Sequence, residues 1–252
     1  MSRLVLSRQK WVAFTLVELL AVMTVIIVLI GILLPVVSLV RQSAGQARCS
    51  ANLRQWALAV NMYAQENDEF LPRRGQGKEP TQQLGWYDDW FNELARYLGQ
   101  APYQTLVASK KMPRVGDSSP WICPQLTGVP NAYGNLFGYA MNMALSVRIA
   151  PLPDRITHVG PLATMVFLAD GPAGYSSTVP FVSTPAAPAP FNPVPRHNGQ
   201  VNIAFLDGHV AALSGTYLGC NTLGDPVHPD ACNQPDARWY WYIPGPAQWP
   251  GP

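Results

Sequence analysis

The sequence predicts an α+β protein, in which a long N-terminal α-helix packs on a small antiparallel β-sheet head with Pro-rich loops. Three observations carry that expectation. Residues 19–40 form a run of 22 residues without one charged side chain. Beyond it, Leu53, Trp56, Ala57, Val60 and Ala64 recur at helical spacing and make one apolar stripe. The C-terminal half then holds several short apolar segments separated by turn residues, the pattern of a small sheet.

The chain opens on a basic segment. Residues 1–13 carry Arg3, Arg8 and Lys10 and no acid. Without them 14 basic side chains (17 less 3) face 15 acidic ones, so the small positive charge of +2 lies in this segment. The 22 uncharged residues, at about 1.5 Å each, would span roughly 33 Å, against about 30 Å of bilayer hydrocarbon. The basic flank should stay cytoplasmic and the remainder lie outside. A cleaved secretory signal is the rival, but its apolar region is typically about 7–15 residues. Glu18 stands near the start of the run. It either sits at the membrane interface with its carboxylate reaching toward water, or it needs a partner cation.

The helix should continue outside the membrane, making residues 14–65 one element. Arg41, Arg48 and Arg54 lie off its apolar stripe, and Gly31 and Gly45 weaken it without ending it. Pro72, Gly75, Gly77 and Pro80 then break the pattern. Residues 89–98 read as a short helix stopped by Gly99, and 100–135 as irregular. Strands are expected at 138–143, 165–169, 201–206 and 209–213, the last two joined as a hairpin at Asp207-Gly208. Residues 171–195 hold seven Pro and read as a polyproline-like loop. The tail, 221–252, is also Pro-rich and carries Trp239, Tyr240, Trp241 and Tyr242, which either cover the head's own core or form a surface for stacking sugar rings. One head domain is expected over 66–252.

Composition narrows the function. Charged residues are 13% of the chain, against about 25% in soluble domains. Hydrophobic residues are 48%, too few for a polytopic membrane protein. The near-neutral balance argues against nucleic-acid binding. There is no P-loop, no G-x-S-x-G and no CxxC, so no enzyme class is indicated.

The segment Ala13-Phe14-Thr15-Leu16-Val17-Glu18-Leu19-Leu20, behind its basic leader, resembles the processing site of type IV prepilins and type II secretion pseudopilins. The resemblance implies a pilin-like fold, cleavage by a prepilin peptidase between Ala13 and Phe14, and N-methylation of Phe14. It makes Glu18 the fifth mature residue, as in the family, and Pro35 the twenty-second, where many pilins bend. Ala13 departs from the usual Gly. The new amino group of Phe14 would be a cation for Glu18 of a neighbouring subunit to meet, setting axial register in a filament. Pro35 either bends or locally melts the helix, or marks the end of the membrane span. Partners implied are the peptidase, other pilin or pseudopilin subunits and the inner membrane, with the head in the periplasm or at the cell surface.

A second signature supports the same family. His197 and Asp207-Gly208, with nine residues between them, are similar to the H-X9-DG region of a large pseudopilin-like group. Cys49-Ser50-Ala51-Asn52-Leu53-Arg54-Gln55, Trp121-Ile122-Cys123-Pro124 and Tyr139-Ala140-Met141-Asn142 resemble its other landmarks in order. No catalytic residue comes with that resemblance.

Two questions stay open at this level. Asp170, His197, Asp207 and His209 either bind a transition metal, or serve as a turn and loop-stabilising pairs; Asp170 and Asp207 are also candidates for Ca²⁺. The main expectation is that no cofactor is required. Cys49, Cys123, Cys220 and Cys232, on an exported head, suggest disulfides. Cys220 with Cys232 would staple the tail and Cys49 with Cys123 would tie helix to head, but four cysteines allow three connectivities. Cys49 is alternatively a buried free thiol. The leading expectation is a structural filament subunit; a non-polymerising membrane-anchored binding protein for a ligand or polysaccharide is second, and a metal-dependent envelope enzyme is third.

Overall fold

The computed structural model describes residues 15–72, 89–128, 136–142, 145, 155–171, 173, 177–178, 193–215 and 236–237. Ala13, Phe14, Cys220, Cys232, the four tail aromatics and most of the Pro-rich segment lie outside them. The fold is α+β. The elements are α1 (Leu16–Glu66), α2 (Trp90–Glu93), α3 (Tyr103–Ala108), β1 (Tyr139–Asn142), β2 (Val166–Asp170), β3 (Ser177–Thr178), β4 (Gln200–Phe205) and β5 (Val210–Ser214). Two compact units divide the chain at Ser43/Ala44, so the second half of α1 falls in the same unit as the sheet.

In the first unit every described residue is exposed. This is the part of α1 that is long and apolar enough to cross a membrane; its most apolar 18-residue window has a mean hydropathy of 3.1. The helix runs through Pro35 without interruption, so the expected local melting does not occur. Its N-terminus is closed by a reciprocal cap. The Thr15 backbone N–H and hydroxyl both donate to Glu18 Oε2, at 2.9 and 2.8 Å, and the Glu18 N–H donates back to Thr15 Oγ1 at 3.3 Å. That is a capping box, written in the sequence as T-x-x-E.

In the second unit α1 buries Gly45, Cys49, Leu53, Trp56, Ala57, Ala59, Val60 and Ala64. The expected stripe is all there, extended by two residues at its N-terminal end. Arg48 and Arg54 are exposed, as their place off the stripe requires. The stripe packs into an aromatic core. The Trp56 ring lies 4.7 Å from Trp121 and 5.2 Å from Trp90, and Tyr103 lies 4.3 Å from Phe137. Trp56 Nε1 donates to the Pro120 carbonyl at 2.8 Å.

The 89–98 helix forms as α2 followed by a 3₁₀ turn over Leu94–Leu98, ending on Gly99 with φ +64°. Residues 100–135 are less irregular than expected, because α3 lies within them. The sheet order is β3-β1-β2-β4-β5. Four strands are antiparallel, while β3 pairs parallel to β1 through Met141↔Ser177 and Asn142↔Thr178. β3 interrupts the segment expected to be wholly loop. Strands β1 and β2 are buried along their whole length, which is why they read as continuous apolar runs.

Candidate functional site

Strand β4 is held between two turns, and these are the two halves of the H-X9-DG signature. At its start, His197 and Gln200 exchange backbone hydrogen bonds at 3.2 and 3.0 Å around Asn198 and Gly199, whose φ angles are +51° and +79°. Asn-Gly with both φ angles positive is the preferred two-residue hairpin turn. At its end, the Gly208 N–H donates to the Phe205 carbonyl at 3.1 Å. There only Gly208 has positive φ, +97°, so Asp207-Gly208 is not the centre of a two-residue turn; the loop is longer.

The first turn aims His197 inward. Its Nε2 lies 3.1 Å from Asp170 Oδ2 at the end of β2, and both side chains are fully buried. Its Nδ1 meets Gln125 Oε1. Gln125 fits because Gly45 on α1 has no Cβ; one built there would stand 2.8 Å from the Gln125 amide nitrogen. Asp170 Oδ2 also accepts the Asn202 N–H at 2.8 Å, and Arg196 Nε stands 3.9 Å from Asp170 Oδ1. Arg196 Nη2 donates to the Gly171 carbonyl. Burial pulls the Arg196 guanidinium below its ordinary pKa, and the Asp170 charge opposes that. One carboxylate thus serves two buried bases, an arrangement tolerated only because each charge meets a partner.

A disulfide joins Cys49 of α1 to Cys123, with Cα atoms 5.0 Å apart. It lies directly against the cluster: Cys123 Sγ is 3.6 Å from His197 Nε2. The Cys123 backbone is packed so closely on Gly138 that a Cβ there would fall 2.5 Å from the Cys123 nitrogen. On the other side the Tyr139 hydroxyl donates to the Cys49 carbonyl at 3.4 Å and accepts from Asn52 Nδ2 at 3.2 Å. Burial raises the Tyr139 phenol well above its ordinary range, with the Asp170 charge adding to it.

The second turn is different. His209 Nδ1 lies 2.6 Å from Asp207 Oδ1, which also accepts the His209 N–H at 3.0 Å. The His209 ring stacks on Phe205 at 4.1 Å with planes 3° apart. Both side chains are part-exposed.

The four residues considered for a metal therefore come together as two pairs, not one site. Val166 lies opposite Phe205, next to the second turn, whereas Asp170 is at the far end of β2. Four residues of strand separate the ends by about 13 Å, too far for Asp170 and Asp207 to share an ion. Among the described residues, the three metal-type ligands that do converge are Cys49, Cys123 and His197, whose ligand atoms lie within 4.8 Å of one another. Glu18 and Pro35 belong to the first unit. Arg196, Asn202 and Gln125 complete the cluster. A polar Asn inside the apolar strand VNIAFL was a readable signal for Asn202; nothing local marks Gln125.

The chain matches no protein-family model, no curated protein and no solved structure.

Proposed function

We propose that the protein is a prepilin-like or pseudopilin-like structural subunit, anchored through α1, processed between Ala13 and Phe14, and assembled with other subunits through the exposed apolar half of that helix. The observation that carries this reading is the pairing of the FTLVELL motif with a helix whose described residues are all exposed up to Ala44 and buried on one face beyond it. An apolar surface of that kind must be covered by lipid or by other helices. The head contributes no reaction to this reading.

A second reading is a membrane-anchored envelope binding protein that never polymerises. The capping box favours it, because Glu18 is already bonded within its own helix turn and has no need of a neighbour's amine.

Glu18 variants in the native host separate the two. Glu18→Gln preserves the cap, since Gln also serves at that position, but removes the charge. Glu18→Ala removes both. Under the subunit reading both variants stay membrane-inserted and both drop out of filaments, scored by shearing and immunoblot. Wild-type incorporation of the Gln variant eliminates the ion pair as the assembly determinant. Intact mass of the purified protein should begin at Phe14 and carry one added methyl group.

A further inference from the structure

We infer that the outer face of the second half of α1 is a docking surface for another copy of this chain, held parallel and displaced along the helix axis, so that the acidic end of one α1 meets Arg48 and Arg54 of the next. This rests on the reading of the chain as an assembling subunit and adds the residues and register of one contact.

Charge is segregated along the helix. From Leu19 to Gln65 the sequence holds no acid, and its charged residues are Arg41, Arg48 and Arg54. The four residues that follow, Glu66-Asn67-Asp68-Glu69, carry three acids. All six charged side chains are exposed. Acids at a helix C-terminus face the negative end of the macrodipole, so this order gains nothing for an isolated helix. Nor do the two groups reach each other within one molecule. Arg54 and Arg48 precede Glu66 by roughly 18 and 27 Å, at about 1.5 Å per residue. Salt screens exposed charges beyond about 8 Å.

The arginines are also unused. Arg48 and Arg54 make no ion pair or side-chain hydrogen bond among the described residues, and neither does Asp68. The other two acids are steadied by neutral or distant groups. Glu66 Oε2 accepts the Tyr97 hydroxyl at 2.6 Å with Arg96 Nη2 at 3.7 Å, and Glu69 Oε2 accepts the Thr157 hydroxyl at 2.9 Å. Glu66 remains 59% exposed.

The surface between the charges is apolar. Ala51, Leu58 and Met62 are exposed, the last two at 54% and 47%. At about 100° per residue they share one face, opposite the buried stripe Leu53, Trp56, Ala57, Val60 and Ala64. An exposed apolar patch rimmed by polar groups marks a contact surface. Arg48 and Glu66 are about five full turns apart and so stand on one line along its border. Two parallel copies in register would set arginine against arginine and acid against acid. Sliding one copy by roughly 18–27 Å sets the acids of one against the arginines of the other, with the apolar face between. Such a contact joins two different surfaces, so it repeats without closing, as a filament requires.

The test uses the full chain in the native host, with p-benzoylphenylalanine in place of Met62. Ultraviolet light should give an adduct of twice the chain mass, linking position 62 of one copy to about residues 44–50 of another. Arg48→Glu with Arg54→Glu should cut its yield about tenfold, as should Asp68→Lys with Glu69→Lys. Co-expression of the two double variants should restore a mixed adduct, because each supplies the charge that the other lacks. Lys110→Glu with Lys111→Glu, at exposed cations elsewhere in the same unit, should leave the yield unchanged. The docking surface is overturned by no adduct, by a link from position 62 to position 62, by full yield in the arginine variant, or by no rescue on co-expression. An equal loss in the lysine variant also overturns it, since net charge would then explain the effect. Filaments are scored separately by shearing. Wild-type filaments without the adduct end this contact and keep the subunit reading; the adduct without filaments keeps the contact and ends that reading.

Discussion

The two ends of β4 carry the same chemical pair in opposite surroundings. At one end His197 and Asp170 are sealed from solvent; at the other, His209 and Asp207 are part-exposed. Each pair sits beside a glycine of positive φ, Gly199 or Gly208. The difference is in what surrounds the carboxylate. Asp170 gathers His197, Arg196 and the Asn202 N–H, whereas Asp207 bonds only within its own turn among the contacts described. A His–Asp pair is therefore a local fastening in water and a structural keystone in the core, because only burial makes its removal leave an uncompensated charge.

Deleting each carboxylate should expose that contrast most strongly. Asp170→Ala strands Arg196 and should cost about 3–5 kcal/mol in chemical unfolding. Asp170→Ala with Arg196→Met should recover much of that loss; no recovery would show that the carboxylate acts through something other than the buried guanidinium. High pH probes the buried side without mutation. Tyr103 is fully buried and its phenol is pushed up to about 12. A folded pKa above the unfolded value of about 10 means that the native state holds its proton longer. Stability from this group is complete below about pH 10 and lost as pH rises toward about 12, on the order of 2 kcal/mol. Melting temperature should fall through that window, and Tyr103→Phe should flatten the fall. Next in size is Gly199→Ala, which places a side chain at φ +79° and should cost about 1–2 kcal/mol. The smallest effect belongs to the exposed pair: Asp207→Ala should shift the unfolding free energy by about 1 kcal/mol or less.

Much of this architecture was readable beforehand, and the exceptions have physical causes. The stripe Leu53, Trp56, Ala57, Val60 and Ala64 was legible because helical burial repeats at a fixed interval, and it is buried throughout. Four of the five strands were legible from short apolar runs bounded by turns. β3 was not, because a two-residue parallel pairing depends on a distant partner and leaves no local period. The Asn198-Gly199 turn and the Thr15–Glu18 box are written in plain local code, each overlapping a longer motif. At Glu18 that mattered: a carboxylate that looks unmatched along the sequence is bonded three residues back. The disulfide pairing lay beyond sequence, since four cysteines permit three pairings and only the folded backbone brings Cys49 to Cys123. The core of the candidate site was half legible: His197 and Asp170 were singled out, but Gln125 reaches them only through the gap left by Gly45.

The covalent link between Cys49 and Cys123 also has a mechanical meaning. Its sequence separation is 74. A tensile load drawn along the chain crosses from one sulfur to the other and bypasses everything between them. At about 3.4 Å per residue, roughly 250 Å of contour length is withheld from extension. A single molecule stretched from its termini should yield that length only after a reductant is added, so a pulled molecule would keep its aromatic centre even while its outer strands were drawn out.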